Sequence, residues 1–160
     1  MIREMLPGDG KRVLEIYGMG LESGNSTFET ILPSWEEWNA RHLRSPRLVF
    51  ESNGTVTGWA ALSPFSSREV YKGVAELSIY VASDSRGKNI GSELMEKMIS
   101  ESESEGIWTL VSSVFPENEA TIRLHKKSGF REIGKREKIA RHKGIWRDTI
   151  LFERRSPNII

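Results

Sequence analysis

Between an apolar, alternating run that ends at Val81 and a helical run that begins near Ile90, the chain reads Arg86-Gly87-Lys88-Asn89-Ile90-Gly91. Glycine in such a strand-to-helix turn lets the backbone come close to a ligand, and the unpaired N–H groups of a helix start point at an anion. The helix dipole adds partial positive charge at that end, and Arg86 and Lys88 add whole charges. The chemistry that fits is a pyrophosphate cradle, although glycine and basic residues also make good turns. The segment is not a Walker A loop, because the closing Gly-Lys-Ser/Thr is missing. Nor is it a dinucleotide fingerprint, which needs three spaced glycines and a later acidic residue.

Three further residues could do chemistry. Glu76 interrupts Ala75, Leu77, Ile79 and Val81. A carboxylate in an apolar strand costs free energy unless it faces a wet cleft, where it could act as a base, or a partner such as Arg68 or Lys72. Asn118 opens a short helix, which asparagine caps well. His125 lies further along that helix, where a lone histidine is a surface or capping residue or an acid/base. The three histidines have no ligand spacing, so no metal is expected.

At these residues the chain resembles the GCN5-related N-acetyltransferase (GNAT) superfamily. That superfamily's acetyl-CoA loop reads Gln or Arg, two residues, Gly, one residue, then Gly or Ala. Arg86 and Gly91 match this pattern, and Asn89 stands at the inner glycine, as the non-glycine residue that best tolerates a left-handed backbone. Asn118, Ala120, Leu124, Gly129 and Phe130 fit the superfamily's later pattern. Within it the chain is similar to the phosphinothricin and methionine sulfone or sulfoximine N-acetyltransferases. The likeness runs through Phe28-Glu29, Arg68, Tyr71, Val74-Ala75-Glu76, Ser78-Ile79-Tyr80-Val81, Ile122-Arg123-Leu124-His125, Lys143-Gly144-Ile145-Trp146 and Asp148.

The resemblance implies a GNAT (acyl-CoA N-acyltransferase) fold and acetyl-CoA as co-substrate. Arg86, Gly87, Lys88, Asn89, Ile90, Gly91 and Ser92 would cradle the pyrophosphate. Backbone groups of Ile79, Tyr80 and Val81 would hold the pantetheine arm and the thioester carbonyl, and Asn118 would bond that arm. Glu76 would be the base, and His125 an acid/base or substrate contact. Phe28, Glu29, Arg68 and Tyr71 would receive a small amino-acid analogue, and the chain would form a homodimer. Two other readings stay open: a protein or peptide N-terminal acetyltransferase, and a non-catalytic module that binds CoA or nucleic acid.

The elements that must position these residues follow from periodicity and turn chemistry. A short strand over Ile2 to Met5 leads through Pro7-Gly8-Asp9 to a helix with Val13, Leu14, Ile16 and Tyr17 inward, then to a polar loop, Glu22 to Thr30. Ser34 with Glu37 is a capping box for a helix to about Arg44. Asn53-Gly54 between apolar runs predicts a hairpin of Arg47–Glu51 with Thr55–Leu62. A strand over 74–81, a helix over 90–104, a strand over 108–115, a helix over 119–127 and strands over 130–138 and 146–153 complete an α/β layer. Its central sheet is mixed, mostly antiparallel, and flanked by helices.

Composition sets the limits. At 160 residues with 38% hydrophobic content, the chain suits one domain, residues 1–160, with a core that needs no disulfide or structural metal. The absence of cysteine excludes a thiolate metal site and an acetyl-cysteine relay, leaving direct attack of an amine on a bound thioester as the simplest route. The formal net charge of +1 argues against a nucleic-acid partner, although Arg131 to Arg147 holds seven Lys or Arg against two Glu. No 18-residue apolar run suggests a membrane, and a cytoplasmic protein is expected.

Overall fold

The computed structural model describes residues 1–160. Seven strands form one sheet in the order β1-β2-β3-β4-β5-β7-β6. They are β1 (Ile2–Glu4), β2 (Leu48–Ser52), β3 (Thr55–Pro64), β4 (Val74–Val81), β5 (Thr109–Val114), β6 (Arg131–His142) and β7 (Ile145–Arg155). All neighbours are antiparallel except β4 and β5. The helices are α1 (Gly10–Ser23), α2 (Trp35–Arg41), α3 (Ile90–Ser104) and α4 (Glu119–Lys127). No helix is long and apolar enough to cross a membrane.

Strand alternation divides the apolar residues between two cores, one on each face of the sheet. On one face, Ala60, Leu62, Ala75, Leu77, Leu110 and Phe152 pack against Leu94, Met95 and Met98 of α3. On the other, Val49, Trp59 and Ala61 pack against Val13 and Ile16 of α1 and Trp38 of α2. Glu76 falls between Ala75 and Leu77 and therefore faces the α1–α2 side.

Turn chemistry behaves as the sequence predicts at Asn53-Gly54, where both residues are left-handed, with φ of 50° and 79°. The same device closes β6 onto β7 at Lys143 (φ 52°) and Gly144 (φ 80°), so these strands meet in a tight hairpin longer than expected. Helix α2 is shorter than expected. Its Ser34 cap forms as read, Oγ accepting from the Glu37 N–H at 3.1 Å. However, His42 turns extended and the Leu43 N–H donates to the Leu62 carbonyl at 2.7 Å, drawing the chain onto β3. Most of the basic stretch lies on β6, the outermost strand, where Lys135, Arg136, Lys138 and Arg141 decorate a free edge and charge opposes strand addition; Lys143 falls in the turn and Arg147 on β7.

The decisive irregularity is between β4 and β5. They pair only over Val74–Glu76 with Thr109–Val111. Beyond this, β4 stays with β3 as far as Val81 opposite Gly58, and β5 stays with β7 as far as Val114 opposite Ile150. A seam therefore opens in mid-sheet from Leu77 onward. Its closed end is fixed by Gly73, whose carbonyl accepts from the N–H groups of Trp108 (2.8 Å) and Thr109 (3.1 Å). A Cβ on Gly73 would lie 2.0 Å from the Trp108 ring. Gly73→Ala should destabilise the fold by about 1–3 kcal/mol, the usual cost of overpacking. An unchanged urea midpoint would show that this end of the seam is not tightly fixed.

Candidate active site

The seam runs from the sheet interior to the turn that follows β4. There Gly87 and Asn89 are both left-handed, with φ of 78° and 64°. Asn89 thus adopts the conformation that its place in the motif requires. No side chain caps the start of α3, so the N–H groups of Ile90, Gly91 and Ser92 stay available, with Arg86 and Lys88 exposed beside them. This cradle fits an anionic phosphate group. Along the seam, alternate N–H groups of Leu77–Val81 on the β5 side have no strand partner.

The seam opens into a cleft of about 360 Å³. Glu76, Ser78 and Tyr80 of β4 form its floor. Ser112, Ser113 and Phe115, together with Asn118 and His125, stand across the seam, while Tyr17, Thr27, Phe28, Glu29, Trp38, Arg41 and His42 cover it. The Glu76 side chain keeps contact with solvent and lines this concavity. The surrounding walls desolvate it and push its pKa above the ordinary carboxylate value, with Arg136 opposing weakly. Arg41 is the one Lys or Arg among the lining residues, held by Glu29 (3.5 Å) and Glu37 (3.6 Å).

The cover is a loop, and Arg147 clasps it. From β7 its guanidinium donates to the Gly24 carbonyl (2.8 Å), Asn25 Oδ1 (3.0 Å) and Glu117 Oε2 (3.3 Å), and it lies 3.9 Å from the Phe115 ring centroid. It also donates to His142 Nδ1 at 3.2 Å. Asn118 ties the same loop: Nδ2 donates to the Asn25 carbonyl (3.2 Å) while Oδ1 accepts from the Thr121 N–H (3.3 Å), the helix cap expected of it. Phe28 packs edge-on against Phe115 at 4.8 Å.

His125 is buried on the opposite face of the sheet from Glu76, between Phe130 and Phe152. Its Nδ1 lies 2.7 Å from the Thr121 carbonyl and its Nε2 2.9 Å from Ser112 Oγ. A carbonyl only accepts, so Nδ1 carries the proton and Nε2 accepts from the hydroxyl. Burial holds the pKa of His125 below the ordinary imidazole value, the Thr121 bond opposing. His125 is therefore a neutral base whose open nitrogen is already engaged, and no proton on it faces the cleft.

Of the residues singled out in the sequence, the fold brings Phe28, Glu29, Glu76, Ile79, Tyr80, Asn118 and His125 to the cleft. Arg86 to Ser92 lie at the seam's outer end, with Val81 leading into them. Arg68 and Tyr71 do not join the cleft. They stack on each other in the exposed β3–β4 connection, the guanidinium 5.8 Å from the ring centroid, with Phe65 against Tyr71. Sequence reasoning passed over Ser112, Arg41, His42 and Arg147. Ser112 had a signal of the same kind as Glu76: a polar residue between Leu110 and Val114 on a buried strand face. His42 had another, four residues after Trp38, on which it stacks at 4.0 Å.

The model of the Acetyltransferase (GNAT) family matches residues 12–130. The chain belongs to that family. It is 29% identical over 160 residues to the phosphinothricin N-acetyltransferase of Alcaligenes faecalis, covering 96% of this chain and 81% of that one. Among solved structures, the ribosomal-protein-alanine N-acetyltransferase of Brucella melitensis superposes with a TM-score of 0.91 at 30% identity, covering 98% and 99% of the two chains. An acetyltransferase of Salmonella typhimurium, solved with its cofactor acetyl-CoA, gives 0.90 at 27% identity, covering 97% and 92%. As a GNAT N-acetyltransferase, this chain uses acetyl-CoA as donor, and the uncapped start of α3 with its two free cations suits the donor's phosphates.

If Arg147 holds the cover, Arg147→Met should loosen it. Losing even one hydrogen bond to a charged group is worth about 1.5 kcal/mol, so amides 24–29 should exchange hydrogen roughly tenfold faster. Exchange at the wild-type rate would mean that the loop is held by other contacts.

Proposed function

We propose that the protein transfers the acetyl group of acetyl-CoA directly to the α-amino group of a small amino acid whose side chain ends in polarised oxygens, of the phosphinothricin, methionine sulfoximine or methionine sulfone type. The observation that carries this reading is Glu76, raised in pKa and set in the floor of a covered cleft beside an open seam of unpaired N–H groups. The likeness to the phosphinothricin enzyme supports the acceptor class.

An α-amino group has a pKa of about 8 and arrives largely protonated at neutral pH. Glu76, directly or through a water, removes the proton and leaves the nitrogen lone pair free to attack. Desolvation makes Glu76 a stronger base than an ordinary carboxylate, matching it better to this task. Seam N–H groups stabilise charge on the acetyl oxygen, each worth about 3 kcal/mol. Arg41 suits the acceptor's carboxylate or oxo group, since a guanidinium bonds such oxygens in pairs, and Phe28 packs its carbon chain. The thiolate leaves without a dedicated acid, its thiol pKa of about 8.5 lying close to ambient pH. Acylation of a protein N-terminal alanine is the second reading, favoured by the likeness to the Brucella enzyme. The clasped cover over a cleft of about 360 Å³ favours the small acceptor.

Free-thiol release should rise with phosphinothricin or methionine sulfoximine and stay low with alanine-initiated peptides. Glu76→Gln should lower kcat by about 10²–10⁴-fold with acetyl-CoA affinity unchanged, and should abolish the acid limb, which in the wild type lies above the ordinary carboxylate range. Peptide acetylation with no response to the amino acids would select the second reading, and full turnover by Glu76→Gln would remove Glu76 as base.

A homodimer is part of the same proposal. The β6–β7 hairpin exposes Ile133, Ile139, Ile145 and Trp146, an apolar set that association would cover. Sedimentation should give twice the chain mass, and Ile145→Asp should shift it toward monomer. A monomeric wild type at micromolar concentration would refute this.

A further inference from the structure

The cleft contains a second set of groups able to do acyl chemistry, which direct transfer does not use. Ser112 Oγ–H donates to His125 Nε2 at 2.9 Å, and His125 Nδ1–H donates to the Thr121 carbonyl at 2.7 Å. A hydroxyl, a neutral imidazole that accepts its proton, and a third group that fixes the ring make up an activated nucleophile. Ser112 and His125 are 6% and 5% exposed, and neither side chain has another polar partner. Phe130 and Phe152 hold the ring at centroid distances of 4.9 and 5.4 Å.

Position supports the chemistry. The last β4–β5 pair is Glu76 with Val111, so Ser112 is the first residue of β5 past the point where the seam opens. Both Ser112 and His125 line the cleft. They belong to the α3–α4 face, whereas Glu76 belongs to the α1–α2 face. A thioester lying in the seam thus has an amine site on one side and a serine hydroxyl on the other.

We propose that Ser112 and His125 give the enzyme a second activity: acceptor-independent discharge of acetyl-CoA through an acetyl ester on Ser112, ending in hydrolysis. The proposal rests on the acetyl-donor reading of the seam. Ser112 Oγ forms a bond to the acetyl carbonyl carbon while its proton passes to His125 Nε2. The carbon–sulfur bond breaks, the thiolate takes the proton from Nε2, and the acetyl group stays on Ser112 as an ester. Water then attacks the ester, giving one proton to Nε2, and the serine oxygen recovers that proton as acetic acid leaves, to ionise in solvent. Atoms and charges balance with acetyl-CoA and water alone. Burial supports the role by keeping His125 unprotonated at neutral pH and thus able to accept.

The test is to incubate the full chain with acetyl-CoA and no amine, following free thiol and intact protein mass together. The wild type should release thiol slowly and gain one acetyl group, mapped to Ser112 by peptide sequencing. Ser112→Ala should lose both signals, and His125→Gln should form the adduct about 10²–10⁴-fold more slowly, the usual loss of a general base. Ser112→Cys, which keeps the size and supplies a stronger nucleophile, should accumulate the adduct. No adduct in either the wild type or Ser112→Cys would overturn the proposal, provided calorimetry shows that acetyl-CoA binds. An adduct at any other residue would do the same. Loss of acetyl-CoA binding together with loss of amine-dependent thiol release would instead count against the transferase reading, so the two failures are distinguishable.

Discussion

The structure depends on where two parallel strands stop pairing. β4 and β5 share three register positions and then part, each still paired along its outer edge. Had pairing continued, the backbone groups of Leu77–Val81 would be spent on β5 and no channel would lead from the start of α3 to the cleft. The parting also sorts the chemistry by face. Alternation sends Glu76 to the side covered by α1 and α2 and places Ser112 toward α4. One irregularity in the sheet thus creates the channel, the floor of the cleft and the separation of Glu76 from Ser112.

The cover over the cleft has a different origin. Residues 24–29 contain little that would fold alone, and Phe28 is their one large apolar side chain. They are held from outside by Arg147 and Asn118, which spend their donors on backbone carbonyls and on Asn25. Their order is borrowed from β7 and from the entry to α4, elements that lie more than ninety residues later in the chain. The same Asn118 caps its own helix, so helix formation and loop closure share one side chain.

Much of this was legible in the sequence because it is local. Asn53-Gly54, the Ser34 cap, the helical period of α3 and the carboxylate inside β4 each depend on a few neighbouring residues. The end of α2 was less legible, because the Leu62 carbonyl that captures Leu43 is distant in sequence. The Lys143-Gly144 turn was missed because lysine rarely takes a left-handed conformation, and only the register of β6 on β7 makes it do so. Arg68 and Tyr71 were read as acceptor ligands by resemblance, and this chain stacks them outside the cleft. Ser112 went unnoticed since a serine in a strand says nothing until its histidine partner is brought across from α4.

The histidines share a property that bears on more than catalysis. His42 and His125 carry their protons on Nδ1, each against a carbonyl four residues back. His142 carries its proton on Nε2, because the Arg147 guanidinium can only donate to Nδ1. Burial is the leading cause that holds all three below the ordinary imidazole value. The folded chain therefore resists protons that the unfolded chain accepts. Above the unfolded value, the stability this represents is fully present; as pH falls below it, the unfolded state gains charge first and stability drains away until the folded imidazoles also titrate. The three rings thus act together as an acid fuse, tying the persistence of the fold to near-neutral surroundings.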